Sequence, residues 1–470
     1  MSDHKPKIFV LLPDGVGLRN FAFTDFKEIG EQMGFEVVFW NNTIFPLQEE
    51  LGFKEVVISN AGLHPLTGVL SRARKRVELS LSRKRTNDKV YDTYKFPLRW
   101  KGIKEGLKNL IVLYYQNFRS SKSGLEKLLI KIDDKERSTD RYKELKSQLE
   151  EHEPVMVFST TQRATMGIAP ILAAKDLGIK TATWVYSWDN LPKGMSTITT
   201  DAYYVWSELM KKELLEYYPE TKNAAIHITG TPQFEPHYNE GIIKTKEAFF
   251  KDHSLDLHKR YFCFSGDDYT TSPLDQYYLE DCAQAVEKLN SEGYNLGIIY
   301  RKVPVDFTGR YDAVLEKYKD VITSIEPLWK PVGKEWNQIM PTKEDFERLV
   351  NTCFHSEFVV NIASSMVFDF AIHGKSCIYP NYEQPQLTPS LSNIKHVYEY
   401  VHFRSMPDVE KAVIWAKSKS EIYECIKDLL DQKISSVVES NDWFEVVNHP
   451  ESPEKASERI WSGIKEMICT

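Results

Sequence analysis

The stretch from Lys343 to Pro380, KEDFERLVNTCFHSEFVVNIASSMVFDFAIHGKSCIYP, constrains the fold more than any other part of the chain. Phe346, Leu349, Val350, Cys353 and Phe354 recur at helical spacing, and Phe358 to Ile362 is a continuous apolar run of strand length. A helix feeding a buried strand is expected. The pattern breaks at Ala363-Ser364-Ser365, and Val367, Phe370 and Ala371 begin a second helical stripe that stops at Gly374, a residue suited to the left-handed turn after a helix. The strand therefore ends in a hydroxyl-rich turn that opens a helix, with Asp369 one turn further on. Unpaired N–H groups at such a turn favour a phosphate. The same residues also satisfy a plainer reading, in which Ser364 and Ser365 only cap a helix and Asp369 is a first-turn carboxylate.

Similar strand–turn–helix units run along the rest of the chain. Lys7 to Leu12 reads as a buried strand, Ala22, Phe26, Ile29 and Met33 as a helical stripe closed by Gly34, and Glu36 to Trp40 as a second strand. In the connecting P-D-G-V-G-L-R-N, Gly15 and Gly17 allow a tight turn, but Asn20 replaces the third glycine of a dinucleotide fingerprint. From about 51 to 153 the pattern is long, charged and helical, with a basic segment from Arg72 to Arg85 that fits either a solvated helix face or a patch for an anionic membrane surface or anionic acceptor. Strands resume at Val155–Ser159, Thr181–Tyr186, Ala202–Trp206 and Ile226–Thr229. The second of these ends in S-W-D-N-L-P-K-G, which gathers Trp188, Asp189, Asn190 and Lys193 where open α/β sheets bind ligands. The Gly/Pro-containing T-G-T-P-Q-F-E-P marks a boundary near Thr231.

Beyond it, Tyr261–Ser265 is a strand under the loop Gly266-Asp267-Asp268, and Leu296–Tyr300 is a strand that delivers Arg301 to its carboxyl end. The adjacent aspartates lack the number of ligands that a hard cation needs, so no metal is expected. Ala412–Ala416 reads as a strand, Glu421–Leu430 as a helix, and Ser457–Ile468 as an amphipathic helix.

A chain of 470 residues is too long for one ordinary core, and two large domains are expected. With 42% apolar and 27% charged residues and a net charge of −7, it has no general affinity for nucleic acid. The six cysteines show no C-x-x-C spacing, the first residues lack the long apolar core of a signal peptide, and no run reaches membrane-spanning length. These features point to a cytoplasmic protein with reduced thiols, either free or peripheral at the inner face of a membrane.

The central segment, in the order S-S-x-x-F-D-x-A-x-x-G-K over Ser364, Ser365, Phe368, Asp369, Ala371, Gly374 and Lys375, resembles the donor-binding segment of GT-B glycosyltransferases. Within that superfamily it is most similar to the CDP-glycerol glycerophosphotransferase and surface-polysaccharide branches. The resemblance implies two Rossmann-like domains facing a cleft: an acceptor-side domain over 1–231 with a helical insertion, a donor domain over 232–440, and a C-terminal segment over 441–470 crossing back onto the first. It implies a donor diphosphate held by Gly266, Arg301, Ser364, Ser365 and Met366, with Asp369 on the ribose. Arg301 and Pro304 match the family's R-x-H-P, but the histidine is absent. The cleft and acceptor side would comprise Gly15, Gly17, Trp188, Asn190 and Lys193.

Sugar transfer from a nucleotide donor leaves negative charge on the diphosphate, which preorganised positive charge must stabilise. A general base must also take the acceptor's proton, for which Asp14 is the first candidate and His64 and Asp189 the next. The expected activity is metal-independent, cofactor-free glycosyl transfer to a surface-polysaccharide or lipid-linked acceptor. A polyol-phosphate transferase and a non-catalytic nucleotide- or glycan-binding protein remain as alternatives.

Overall fold

The computed structural model describes residues 5–59, 62–304, 306–331, 339–388, 391 and 393–469. The chain divides into two compact units, Met1–Gln233 with Glu451–Thr470, and Phe234–Pro450. Each is a parallel α/β unit.

Unit 1 contains β1 (Lys7–Leu12), β2 (Glu36–Asn41), β3 (Glu55–Val57), β4 (Met156–Ser159), β5 (Lys180–Trp184), β6 (Ala202–Val205) and β7 (Ala225–Ile228). They pair in parallel in the order β3-β2-β1-β4-β5-β6-β7. Strands β1 and β4 are covered on both faces, which is why they read as unbroken apolar runs. β3 lies inside the stretch expected to be wholly helical. It is a three-residue edge strand with no buried residue, so no hydrophobic pattern announces it.

Five helices separate β3 from β4: Thr67–Thr86, Val90–Thr93, Gly102–Phe118, Lys122–Arg137 and Asp140–His152. The basic segment lies on the first of them and is not a bare cationic face. Arg72 pairs with Glu105 at 3.6 Å, Arg76 donates to Gln116, Arg83 pairs with Asp92, Arg85 pairs with Glu216, and Arg74 is buried. The charge expected to meet an anionic membrane is largely compensated inside the unit. Among the described residues no helix is long and apolar enough to cross a membrane.

The last helix, Ala456–Cys469, packs on the helix Phe26–Gln32 of the same unit. Trp461 stacks on Phe26 and Phe35 and donates its indole N–H to the Phe26 carbonyl at 2.6 Å. A β-carbon on Gly30 would lie 2.3 Å from that indole, so glycine is what lets the helix dock.

Unit 2 contains β8 (Arg260–Ser265), β9 (Leu296–Arg301), β10 (Ile322–Ile325), β11 (Lys330–Pro331), β12 (Ile339–Met340), β13 (Val359–Val360), β14 (Cys377–Pro380) and β15 (Ile414–Ala416). Its main sheet is parallel, in the order β10-β9-β8-β13-β14-β15, and β11 with β12 forms a separate antiparallel pair. Relative to its own chain order, this repeats the first six strands of unit 1, the 3-2-1-4-5-6 pattern of doubly wound sheets. The helix Val437–Val447 belongs to unit 2, where Trp443 and Phe444 pack on Phe368, so the return to unit 1 begins at Glu451 rather than at 441.

Candidate functional site

In a doubly wound sheet the crevice lies at the carboxyl ends of the two strands where the order reverses. In unit 1 these are β1 and β4. After β1 comes Asp14, half-buried, and then the turn Gly15–Gly17. Gly17 serves packing: a β-carbon there would lie 2.3 Å from the Thr160 hydroxyl, which itself donates to the Leu11 carbonyl. After β4, Gln162 is fully buried and bonded on every side. Its Nε2 donates to Asn190 Oδ1 and the Met195 carbonyl, its Oε1 accepts from the Tyr186 amide, and its carbonyl accepts from the Thr197 amide.

Gln162 thus ties the loops after β4 and β5 into one body. The S-W-D-N loop is part of it. Trp188 is buried, not exposed, so its presence does not argue for a ligand. Asp189 accepts from Ser187 at 2.6 Å and from Asn190 at 2.9 Å, and it pairs with Lys193. A carboxylate so occupied is a poor general base, and Asp189 leaves the list. His64 leaves it too. Its Nδ1 accepts from the Leu66 amide at 3.1 Å and its own amide donates to the buried Glu136, so the residue shapes the start of the helix Thr67–Thr86.

In unit 2 the strands at the reversal are β8 and β13. After β8, a β-carbon on Gly266 would come within 3.1 Å of both Tyr300 and the Tyr311 hydroxyl. Asp275 accepts from the Asp267 amide at 3.1 Å and from the Tyr311 hydroxyl at 2.6 Å. Arg310 ties Asp306 to the carbonyls of Asp267 and Ser272. Burial, together with the adjoining Asp268 and Asp275 carboxylates, holds the Asp267 carboxyl well above the usual range. Among the described residues no group of three or more histidines, cysteines, aspartates or glutamates is arranged to hold a metal.

After β13, Ala363 sits at φ +55°, in the left-handed region that a non-glycine residue enters at a cost of about 1–2 kcal/mol. Ser364, Ser365 and Met366 follow, half-exposed. The turn has fewer free amides than its sequence implies. Ser364 N–H donates to Asn361 Oδ1 and Met366 N–H to the Ser364 hydroxyl, so these side chains already satisfy the backbone. The two hydroxyls and the Ser365 amide are what the turn can still present.

Arg301 stands at the end of β9 as expected, but not as a free cation. Its Nη2 lies 2.9 Å from Asp345 Oδ2, which also accepts from the Trp329 indole at 2.7 Å. Its buried Nη1 has no hydrogen-bond partner among the described residues. Asp369 is turned into the unit rather than outward. It is 2% exposed, and its Oδ1 lies 2.9 Å from Nε2 of the buried His237, whose Nδ1 lies 2.9 Å from His373 Nε2. Asp369, which the resemblance puts on a ribose, heads a chain that runs through the buried His237 to the half-buried His373.

No protein-family model matches the sequence, and no curated protein matches it. Solved structures do. S. aureus MnaA with UDP is similar over 98% of this chain and 97% of its own, with a TM-score of 0.52 and 13% identity. UDP-GlcNAc 2-epimerase from Methanocaldococcus jannaschii covers 97% and 99%, with a TM-score of 0.50 and 13% identity. A glycosyltransferase from Rickettsia africae covers 99% and 98%, with a TM-score of 0.50 and 9% identity.

The fold is GT-B. At these identities the likeness extends to the fold alone.

Several residues at the GT-B switch points escaped the sequence reading. Gln162 and Arg163 follow β4 directly, and their position after a central strand was the signal available. His237 had no local signal, because its partner Asp369 lies 132 residues away. Tyr311 had no local signal either, because its partner Asp275 lies 36 residues away.

Proposed function

We propose that this GT-B protein is a metal-independent glycosyltransferase that moves a sugar from a nucleotide-diphosphate donor to a surface-polysaccharide or lipid-linked acceptor. The observation that carries the reading is the turn after β13, where a strained Ala363 presents the hydroxyls of Ser364 and Ser365 beside the carboxyl end of a central strand. On this reading the diphosphate takes hydrogen bonds from those hydroxyls and the Ser365 amide. The Nη1 of Arg301 beyond β9, which has no hydrogen-bond partner among the described residues, is a further donor at the same edge. In unit 1, Asp14, half-buried just beyond the carboxyl end of β1, takes the acceptor proton.

The similar structure of MnaA with UDP makes UDP the first nucleotide to test. The test is thermal stabilisation by UDP, GDP and CDP side by side. A ligand at a hundred times its Kd stabilises the folded state by about 2.7 kcal/mol, which raises Tm. No rise with any of them would remove the reading. The products formed from the matching nucleotide sugar then define the chemistry. Released nucleoside diphosphate means glycosyl transfer, whereas an isomerised nucleotide sugar with no release means epimerisation. Nucleoside monophosphate released from a nucleotide-activated polyol means polyol-phosphate transfer.

A further inference from the structure

The rim of unit 1 beside β4 carries more positive charge than its own carboxylates offset. Arg163, four residues beyond the end of β4, lies 4.7 Å over the ring of Tyr186 and makes no ion pair among the described residues. The helix Thr67–Thr86 brings a second cation to the same place. Its Lys75 stem meets the turn at Gly194, 3.2 Å from where a β-carbon on that glycine would stand, and its amine lies 4.9 Å over Phe96. Burial and the nearby Arg74, Lys193 and Arg163 together press the Lys75 amine down to about 8. Arg74, buried, reaches Glu78 only at 3.4 Å and the Gly194 carbonyl only at 3.5 Å.

Of the local carboxylates, Asp14 shares the neighbourhood of Tyr186 with Arg163 and Arg19, and the other three offset little of the charge. Asp189 belongs to Lys193, burial pushes Glu78 up to about 7, and burial raises Glu220 as well. Lys75 and Arg163 are 88 residues apart in the chain, and the helix that carries Lys75 packs on the turn Thr165–Gly167 just after Arg163, on the side of the sheet's carboxyl edge where doubly wound folds bind ligands. A guanidinium held over a ring can still offer its N–H fork to a bidentate oxyanion, and a desolvated amine regains its full charge when an anion arrives.

We propose that unit 1 holds an oxyanion site built from Arg163 and Lys75, with Lys193 beside them, and that the acceptor carries the matching group, a phosphate or a carboxylate. The link to an acceptor rests on the transferase reading, whereas the anion site itself stands without it.

Calorimetry on the full chain tests this with two probes, isopentenyl phosphate for a lipid phosphate and glucuronate for an acidic sugar. The wild type binds at least one of them, and the preferred probe identifies the group. Arg163→Gln and Lys75→Gln each weaken binding at least tenfold, and Arg163→Lys restores part of it. Lys84→Gln, on the exposed face of the same helix, leaves it unchanged. Far-ultraviolet circular dichroism and Tm confirm that each variant is folded. If the wild type binds neither probe, or a folded Arg163→Gln binds as tightly as wild type, the proposal is overturned. UDP stabilisation is read separately, so a protein that binds the anion but no nucleotide would sink the transferase reading and leave this site standing.

Discussion

Units 1 and 2 place their strands in the same order but fill the reversal point with opposite chemistry. In unit 1 the space after β4 is closed by neutral groups, Thr160, Thr161 and Gln162, all fully buried, and the charges stand at the rim. In unit 2 the charges are inside. Asp267, Asp275 and Arg310 are interlocked behind Gly266, and Arg301 is buried on Asp345. A buried charge needs a partner wherever it sits, so unit 2 has compensated its charges internally and shows a turn of hydroxyls outside. Unit 1, with a neutral plug, is free to leave Arg163 without a carboxylate. One backbone topology therefore supports a rim that attracts anions and a core that has already neutralised its own.

The strongest test of that contrast is Asp345→Ala. It strands the buried Arg301 guanidinium and removes the acceptor of both the Trp329 indole and the Leu328 amide. Losing one partner of a buried pair costs about 3–5 kcal/mol. Hydrogen exchange read by mass spectrometry should show the loss in unit 2 and leave unit 1 unchanged. Protection lost equally in both units would mean that they do not open independently.

Next is Gly17→Ala against Gly266→Ala. The first added methyl falls 2.3 Å from the Thr160 hydroxyl and 2.6 Å from its β-carbon, and the second falls 3.1 Å from two tyrosine side chains. Overpacking of this kind costs about 1–3 kcal/mol, with Gly17→Ala at the upper end and Gly266→Ala at the lower. Chemical denaturation of the two variants checks the order, and a reversal would mean that the tyrosine cage is the stiffer of the two.

Two buried groups, one in each unit, should also answer pH in opposite senses. In unit 1, burial pushes Glu213 from 4.5 up to about 8, so the folded chain keeps a proton that the unfolded chain releases, and stability falls as pH rises from 4.5 towards 8. In unit 2, burial and the neighbouring His237 press His373 from 6.5 down to about 4, so the unfolded chain binds the proton first, and stability falls as pH drops from 6.5 towards 4. Glu213→Gln should therefore raise Tm at pH 8 and have little effect at pH 4.5. His373→Gln should flatten the acid limb only. Tm profiles of the two variants that moved in the same direction with pH would contradict the assignment.

What the sequence made legible follows from burial. Strands β1, β8 and β9 are covered on both faces and show as apolar runs, and the helix Lys343–His355 shows as a stripe because one face is buried. β10, with two of its four residues buried, and the edge strand β3 carry too little apolar pattern to be seen. The turn at Ser364 was legible because a change of period marks it. The partners of Asp369 and Arg301 were not, since pairing across 132 or 44 residues leaves no trace in local spacing. Nor does the S-W-D-N loop reveal its own burial, since what folds over Trp188 and covers it comes from elsewhere in the chain.

The smallest expected effect closes the comparison. Asp189 and Lys193 form the unit 1 counterpart of the Asp345–Arg301 pair, but their side chains are 24% and 20% exposed rather than 8% and 9%. Water screens the unit 1 pair, and the cation left behind by Asp189→Ala can rehydrate. The change should cost about 1 kcal/mol or less. It should also tighten any anion bound near Arg163, because a carboxylate leaves the rim while Lys193 stays. A stability loss as large as that of Asp345→Ala would show that the Ser187 and Asn190 hydrogen bonds to Asp189, rather than the ion pair, hold the loop. That outcome would place the weight of unit 1 in its neutral network, from Gln162 outward.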